Sequence, residues 1–392
     1  MKRTVESFTT PMSGLAESIL PETVLQFGGG NFLRAFADVF IHDANQTNRP
    51  VGRVVVVQST ASRRAALLNK QQGRYHVITR GITNGRPLDE VKEISSLSRG
   101  LVAGDEWPAV LAVGCSPKLR LIISNVTEAG YQLDDEDVHF SLDGAAAPCS
   151  FPAKLLAVLF ARYQAGQPGV TVLPCELLDH NADRLLALLL EQAAAWAMPT
   201  AFLQWLQSEI YWLNSLVDRI VSGKPAAHPL LVEDNLLTVA EPFALWVIEG
   251  KGRARDLFAH PALVVVDDVE RYALRKVRIL NGAHTALVCK ARPLGITTVV
   301  EAVTNDEVGP WLRRLLLEEI VPTVADRVDG GEAFAEQVLE RFANPFLAHQ
   351  LADIALHQET KVQVRLVPTY QEYEQQHGYP PPLLHELIGH QG

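Results

Sequence analysis

The chain has 392 residues, 47% hydrophobic and 20% charged, with 45 acidic against 35 basic side chains and a formal net charge of -10. An apolar composition without low-complexity segments or a fixed repeat excludes a disordered or solenoid chain, and the length favours two domains. The acidic balance argues against nucleic acid as a partner, whereas a small anionic substrate needs only a few local cations.

The N-terminal stretch MKRTVESFTTPMSGLAES lacks the apolar core of a secretory signal. Residues 24–27 (VLQF) then read as a strand, Gly28 to Gly30 as a turn, and residues 31–46, with Phe32, Phe36, Val39 and Phe40 at near-helical spacing, as a helix. Runs rich in β-branched and aliphatic residues at 52–60, 118–125 and 169–176 are of the kind found in strands buried on both faces. Helical segments at 153–164 and 181–197 lie between or after them, which predicts a mostly parallel sheet with right-handed crossovers. Residues 74–81 alternate and suit an antiparallel or edge element; 221–229 suit a loop; 243–250 and 262–269 are expected to be the last strands. From about residue 272 the pattern turns to long helices. The expected fold is therefore an α/β, Rossmann-like domain with a mostly parallel sheet over residues 1–271, followed by a largely α-helical domain over 272–392.

The longest apolar stretch, around 185–198, carries Glu191 and Gln192 and is too short to span a bilayer, so no membrane role is expected. Cys115, Cys149, Cys175 and Cys289 lack metal-site or disulfide-framework spacing and suit the reducing cytoplasm.

A glycine cluster by itself reads equally as a mobile turn. Placed between the first strand of a parallel sheet and a helix, it offers backbone N–H groups and a helix dipole to a pyrophosphate. Gly28 and Gly30 allow the tight turn and the close backbone approach, but Leu33 stands where the usual third glycine of the fingerprint would be.

GGGNFLRAF, SNVTEAGY (124–131), LPCELLDHNAD (173–183), NSLVDRIVSG (214–223) and RKVRILNGAHTALV (275–288) together resemble the long-chain polyol and sugar-acid dehydrogenases, from about residue 20 to about residue 368. The resemblance implies NAD-dependent interconversion of a 2-keto sugar acid and its polyhydroxy acid. Gly28, Gly30, Asn31, Phe32 and Arg34 then belong to the dinucleotide turn, and Asn125 lies near the nicotinamide. Relatives that act on mannitol carry a second oxyanion-binding asparagine where this chain has Leu177, which favours the tagaturonate branch; fructuronate and neutral ketoses are the nearest rival substrates, and a non-catalytic NADH-binding module is the rival of another class. At the end of the second strand Gln58 stands where an acidic residue usually bonds the adenosine ribose, and it would not repel a 2′-phosphate. Arg63 and Arg64 just downstream read more readily as a solvated helix face, and the resemblance favours NAD.

Ketone reduction needs a hydride donor, a proton donor and hydrogen-bond donors around the oxygen. On a helix Lys276, Asn281 and His284 stand at about 0°, 140° and 80°, angles that allow all three to look into one cleft. Each has a bland alternative: a snorkelling lysine, an Asn-Gly turn, a satisfied core histidine. The match of K-x-x-x-x-N-x-x-H to the family's catalytic motif makes Lys276 the acid/base, provided that burial lowers its pKa, with Asn281 donating to the substrate oxygen and His284 orienting a neighbouring hydroxyl. Arg275 and Arg278 do not share the face of Lys276. Asp218 and Arg219 read equally as a buried ion pair and as substrate-cleft groups. Arg341, Lys361 and Arg365 are candidate readers of a substrate carboxylate, and His349 is a weaker one. His385 and His390 in HELIGH are five apart and do not share a helical face, so no metal site is expected. The family continues with further helices past this region, so the helical domain, which stops here at Gly392, is expected to be shortened.

Overall fold

A computed structural model describes residues 20–59, 62–127, 130–139, 145–250, 257–347 and 349–388. The N-terminal stretch read for a leader and His390 fall outside these. The chain divides into two compact units: residues through Ile78 with Val91–Ala240 and Ala244–Asp267 form the first, and Thr79–Glu90, Glu241–Phe243 and the chain from Asp268 on form the second.

The strands of the first unit's main sheet are β1 (Glu22–Phe27), β2 (Arg53–Gln58), β5 (Leu97–Val102), β6 (Leu121–Ser124), β7 (Thr171–Pro174) and β8 (Tyr211–Trp212), with β3 (Tyr75–Thr83) and β4 (Arg86–Ile94) inserted in sequence. They lie in the order β5-β2-β1-β6-β7-β8, every neighbouring pair parallel. Strand residues alternate between two cores. Val24, Val54, Val56 and Ile123 join one apolar cluster, whereas Leu25, Val55, Val57 and Ile122 join the other. With both faces covered, most strand positions carry apolar side chains, which explains the aliphatic runs, and a buried polar residue such as Gln26 of β1 is hydrogen-bonded. Strand order reverses between β1 and β6, the place where ligands bind in sheets of this kind.

Around this sheet lie α1 (Asn31–Arg34), α2 (Ala37–Asn45), α3 (Arg64–Lys70), α4 (Trp107–Gly114), α5 (Phe151–Gln164), α6 (Asn181–Ala195) and α7 (Thr200–Ser208). The single helix expected over 31–46 is broken at Phe36, whose φ of -134° and ψ of -94° are not helical. Part of the stretch expected to be a loop is β10 (Val221–Gly223), which pairs antiparallel with β11 (Thr238–Ala240) in a four-stranded sheet ordered β10-β11-β3-β4. β3 and β4 are joined by Asn84 and Gly85, both at positive φ (51° and 70°), the signature of a tight hairpin turn. β12 (Leu245–Glu249) and β13 (Leu263–Val266) do not extend the main sheet. They form a three-stranded sheet with β9 (Ser215–Asp218), which runs antiparallel to β12.

Past residue 268 the described chain is helical: α8 (Glu270–Arg275), a π turn (Lys276–Asn281), α9 (Gly282–Ala291), α10 (Val299–Thr304), α11 (Val308–Arg314), a second π turn (Leu315–Ile320), α12 (Val321–Val324), α13 (Gly331–Phe342), α14 (Leu351–Ile354), α15 (Gln358–Arg365), α16 (Val367–His377) and α17 (Pro382–Ile388), with a short 3₁₀ turn after α9. α9, nearly all buried, is the central stave of this core, with Ala283, Ala286 and Leu287 fully enclosed. Among the described residues no helix is long and apolar enough to cross a membrane.

Candidate functional site

The glycine turn lies at the C-terminal end of β1. Gly28 has φ +109°, and a Cβ there would come 2.8 Å from the carbonyl oxygen of Asn125, the residue that follows β6. Only glycine meets both conditions. The N–H of Gly28 donates to Val57 O (3.1 Å), but those of Gly29 and Gly30 find no acceptor among the described residues. Gly28, Gly30, Asn31, Phe32, Arg34, Gln58 and Asn125 all border one cavity of about 1050 Å³ in the first unit. Its place at the reversal of strand order, its size and the unengaged glycine N–H groups fit a dinucleotide whose pyrophosphate rests on the turn.

Most of these side chains build the cavity rather than reach into it. Arg34, buried, donates from Nη1 to Gly29 O (2.6 Å) and from Nη2 to Asn31 Oδ1 (2.8 Å), Thr238 Oγ1 (3.0 Å) and Leu236 O (3.2 Å). It therefore clasps the turn to β11. Phe32 stacks on Phe36 with ring centres 4.9 Å apart. Asn125 Nδ2 donates to Cys175 O (2.7 Å), tying the ends of β6 and β7 together. Gln58, expected at the ribose, is anchored to its own loop: Nε2 donates to Ser62 O and Oε1 accepts from Ala65 N–H (2.8 Å). An amide nitrogen carries two donors and its oxygen two acceptor sites, so these bonds orient the side chain and do not preclude a ribose hydroxyl.

Two buried acids near this turn went unnoticed in the sequence. Glu176, which borders the cavity beside the exposed Leu177, accepts from Val126 N–H (2.9 Å), Tyr131 Oη (3.0 Å) and Ser124 Oγ (3.1 Å), and burial raises its pKa. Asp38, fully buried on α2, accepts from Gln26 Nε2 (3.3 Å), which also donates to Gly28 O (3.1 Å). Burial pushes Asp38 up to about 7, against the opposing pull of Gln26 and Arg34. An isolated acidic letter in a helix gives no sign of such burial.

A pH dependence follows. The folded protein keeps a proton on Asp38 that the unfolded chain releases near pH 4, so this group's contribution to stability is present in acid and is lost as pH rises through about 7. Asp38→Asn, neutral throughout, is expected to flatten the fall in melting temperature between pH 5 and pH 8. An unchanged slope by calorimetry would assign the titration to another group.

Gly30 tests the pyrophosphate seat. Its φ of -69° and ψ of 169° suit any residue, and a Cβ there meets nothing within 4 Å. Gly30→Val is therefore expected to fold normally, project into the cavity and weaken NADH binding by about tenfold or more, the cost of a displaced phosphate contact. Unaltered affinity in a fluorescence titration would place the cofactor elsewhere.

Asp218, also in the first unit, is buried at the end of β9, and the neighbouring Arg219 donates to Ala35 O (2.6 Å). In the second unit Lys276 opens the π turn and Asn281 closes it; both are half-buried. The angles expected for an uninterrupted α-helix do not carry across this turn, whose i→i+5 hydrogen bonds advance each residue by less than an α-helix does. The flanking arginines are engaged elsewhere: Arg275 lies over the rings of Phe334 (4.5 Å) and Tyr272 (4.8 Å), and Arg278 pairs with Glu372.

His284, on α9, is 9% exposed, stacks on Phe342 (4.1 Å) and meets His349 edge-on (5.1 Å). Burial first, and then the charges of His349, Arg341, Arg365 and Lys361, hold its pKa well below the ordinary range, so the ring is neutral. Arg341, Lys361 and Arg365 thus share one neighbourhood, but they differ in what they can bind. The Arg341 fork is already closed on Glu241, from Nη2 to Oε1 (2.8 Å) and from Nε to Oε2 (3.0 Å), over the ring of Phe243. Arg341, expected as a carboxylate reader, thus already has an acid beside it. Its partner Glu241, a hundred residues away in sequence, carried no signal.

Among the described residues no three His, Cys, Asp or Glu side chains converge to hold a metal ion. His385 Nδ1 lies 2.8 Å from Tyr370 Oη.

Comparison with known proteins accords with this geometry. The chain is 42% identical over 381 residues to the altronate oxidoreductase of Halalkalibacterium halodurans, covering 94% of this chain and 74% of that protein. It is 40% identical over 375 residues to that of Bacillus subtilis, covering 92% and 77%. Pseudomonas fluorescens mannitol 2-dehydrogenase, solved as a ternary complex with NAD and D-mannitol, superposes with a TM-score of 0.75 at 25% identity, covering 95% of this chain and 78% of that one. Residues 22–258 match the mannitol dehydrogenase Rossmann domain and residues 268–390 the mannitol dehydrogenase C-terminal domain. With both domains matched in order over most of its length, the chain belongs to the mannitol dehydrogenase family.

Proposed function

We propose that this chain is an NAD-dependent oxidoreductase that interconverts D-tagaturonate and D-altronate. The reading is carried by the cavity at the reversal of strand order, bordered by the glycine turn, in a chain about 40% identical to proteins named altronate oxidoreductase. Gly28, Gly30, Asn31, Phe32, Arg34, Gln58 and Asn125 form the cofactor seat, and NADH bound there supplies the hydride. Lys276 gives its proton to the carbonyl oxygen as that oxygen gains charge, and takes it back in the oxidative direction. Asn281 donates a hydrogen bond to the same oxygen and stabilises it where charge develops. Neutral His284 holds a neighbouring hydroxyl without competing for the proton. Asp218, Lys361 and Arg365 bind the rest of the sugar acid, while Arg341 supports the wall beside His284.

The test is NADH oxidation followed by absorbance with tagaturonate, fructuronate, fructose and, in reverse with NAD, mannitol. The expected result is a kcat/KM for tagaturonate at least tenfold above the others. Preference for fructuronate or fructose would reassign the substrate. NADH binding without turnover of any of the four would leave a cofactor-binding module.

A further inference from the structure

Gln358, Lys361 and Arg365 fall on one face of α15, at positions i, i+3 and i+7. That face packs on α9. Gln358 Nε2 donates to Thr285 O (3.0 Å) and to Cys289 Sγ (3.1 Å), Arg365 Nη1 donates to Thr285 Oγ1 (3.2 Å), and Lys361 Nζ turns to Ile354 O (2.8 Å). Neither cation meets an acid among the described residues; Asp353 bears on His349 instead. Burial, and then the neighbouring charge of Arg365, lower the pKa of Lys361. Two adjacent positive charges partly withdrawn from water, without a counter-ion, form an arrangement that an anion relieves.

Beside them, buried polar atoms lack partners. His284 Nε2, one residue from Thr285, has no hydrogen bond, and neither has Gln358 Oε1. Such orphans are uncommon in folded proteins. The cations call for an anion and the orphaned atoms for hydroxyls, and a carboxylate with hydroxyls on the adjoining carbons supplies both.

We propose that Arg365 and Lys361 seat the carboxylate of a polyhydroxy acid, with His284 Nε2 bonding one of its hydroxyls, and that Arg341 takes no part in reading it. The assignment rests on the reading of the substrate as a keto sugar acid and adds which side chains read its charge. In Arg341 the same residue type is committed to Glu241, so cationic character alone does not distinguish the readers.

The experiment compares altronate with its neutral amide by titration calorimetry in wild type, Arg365→Gln and Lys361→Gln, alongside tagaturonate kinetics and melting temperature. Wild type is expected to prefer altronate over the amide by about 10- to 100-fold, the range for charge-assisted hydrogen bonds. Arg365→Gln is expected to abolish most of that preference and to raise KM for tagaturonate by a similar factor, with kcat and melting temperature little changed. Lys361→Gln should do the same to a smaller extent, and Arg365→Lys should recover part of the loss. A preference that persists in both glutamine variants, or an equal weakening of acid and amide, overturns the proposal while leaving the reaction assignment standing. A wild type that turns over no keto sugar acid sinks the reaction assignment first.

Discussion

Lys276→Ala is expected to lower turnover in both directions by about 10²- to 10⁴-fold, the usual contribution of a positioned acid or base, while NADH binding persists. Ketone reduction needs a protonated donor and alcohol oxidation an unprotonated acceptor. In wild type, then, altronate oxidation should rise with pH over the range in which tagaturonate reduction falls, and the alanine variant should lose both inflections. The half-buried side chain opens a π turn, an irregularity that often marks functional positions. A lysine with only a structural role would show the opposite pattern: a lowered melting temperature with near-normal turnover and an unchanged pH profile in the folded fraction. The rates of both directions against pH at saturating cofactor decide between them.

The second large effect is one of stability. Glu241→Ala is expected to destabilise the protein by about 3–5 kcal/mol, because it leaves the Arg341 guanidinium buried without its counter-charge. The carboxylate and the guanidinium are 1% and 4% exposed, too little for water to replace the missing partner. Arg341→Ala should cost a comparable amount for the same reason. Glu241→Leu combined with Arg341→Met should recover most of the loss, since two apolar side chains of similar volume need no partners. Urea unfolding of the single and double variants measures this. Single variants with unaltered midpoints and a raised KM for tagaturonate would instead make Arg341 a substrate reader and the ion pair incidental.

The two results bear on different parts of the chain, and they differ in how visible their residues were beforehand. Lys276 sits in a spaced local motif, legible because its companions lie within nine residues. Glu241 is visible only once Arg341 is beside it. Local segments carried the rest of what could be read early. The aliphatic runs of β1, β2, β6 and β7 identify strands covered on both faces, because burial on both sides favours apolar residues on both. The glycine turn after β1 is legible because positive φ at Gly28 and the close approach of Asn125 O admit no side chain. Asn84-Gly85 offered an equally local hairpin signal that the alternation at 74–81 did not complete, since the second strand, β4, is mostly exposed and polar.

What folding alone decided is which polar groups face one another and which are already spent. Letters separated by tens or hundreds of residues carry no mark of their pairing: Arg34 on Leu236 and Thr238, Asp38 on Gln26, Arg341 on Glu241. Nor did the sequence show that Gln58 is anchored to its own loop, or separate Arg341, paired with an acid, from Arg365, which donates to Thr285. Periodicity and spacing report local geometry and average burial. Charge compensation, orphaned atoms and the displaced register of a π turn arise only when distant segments are packed together, because the energy of a buried polar group is set by the partner it finds there.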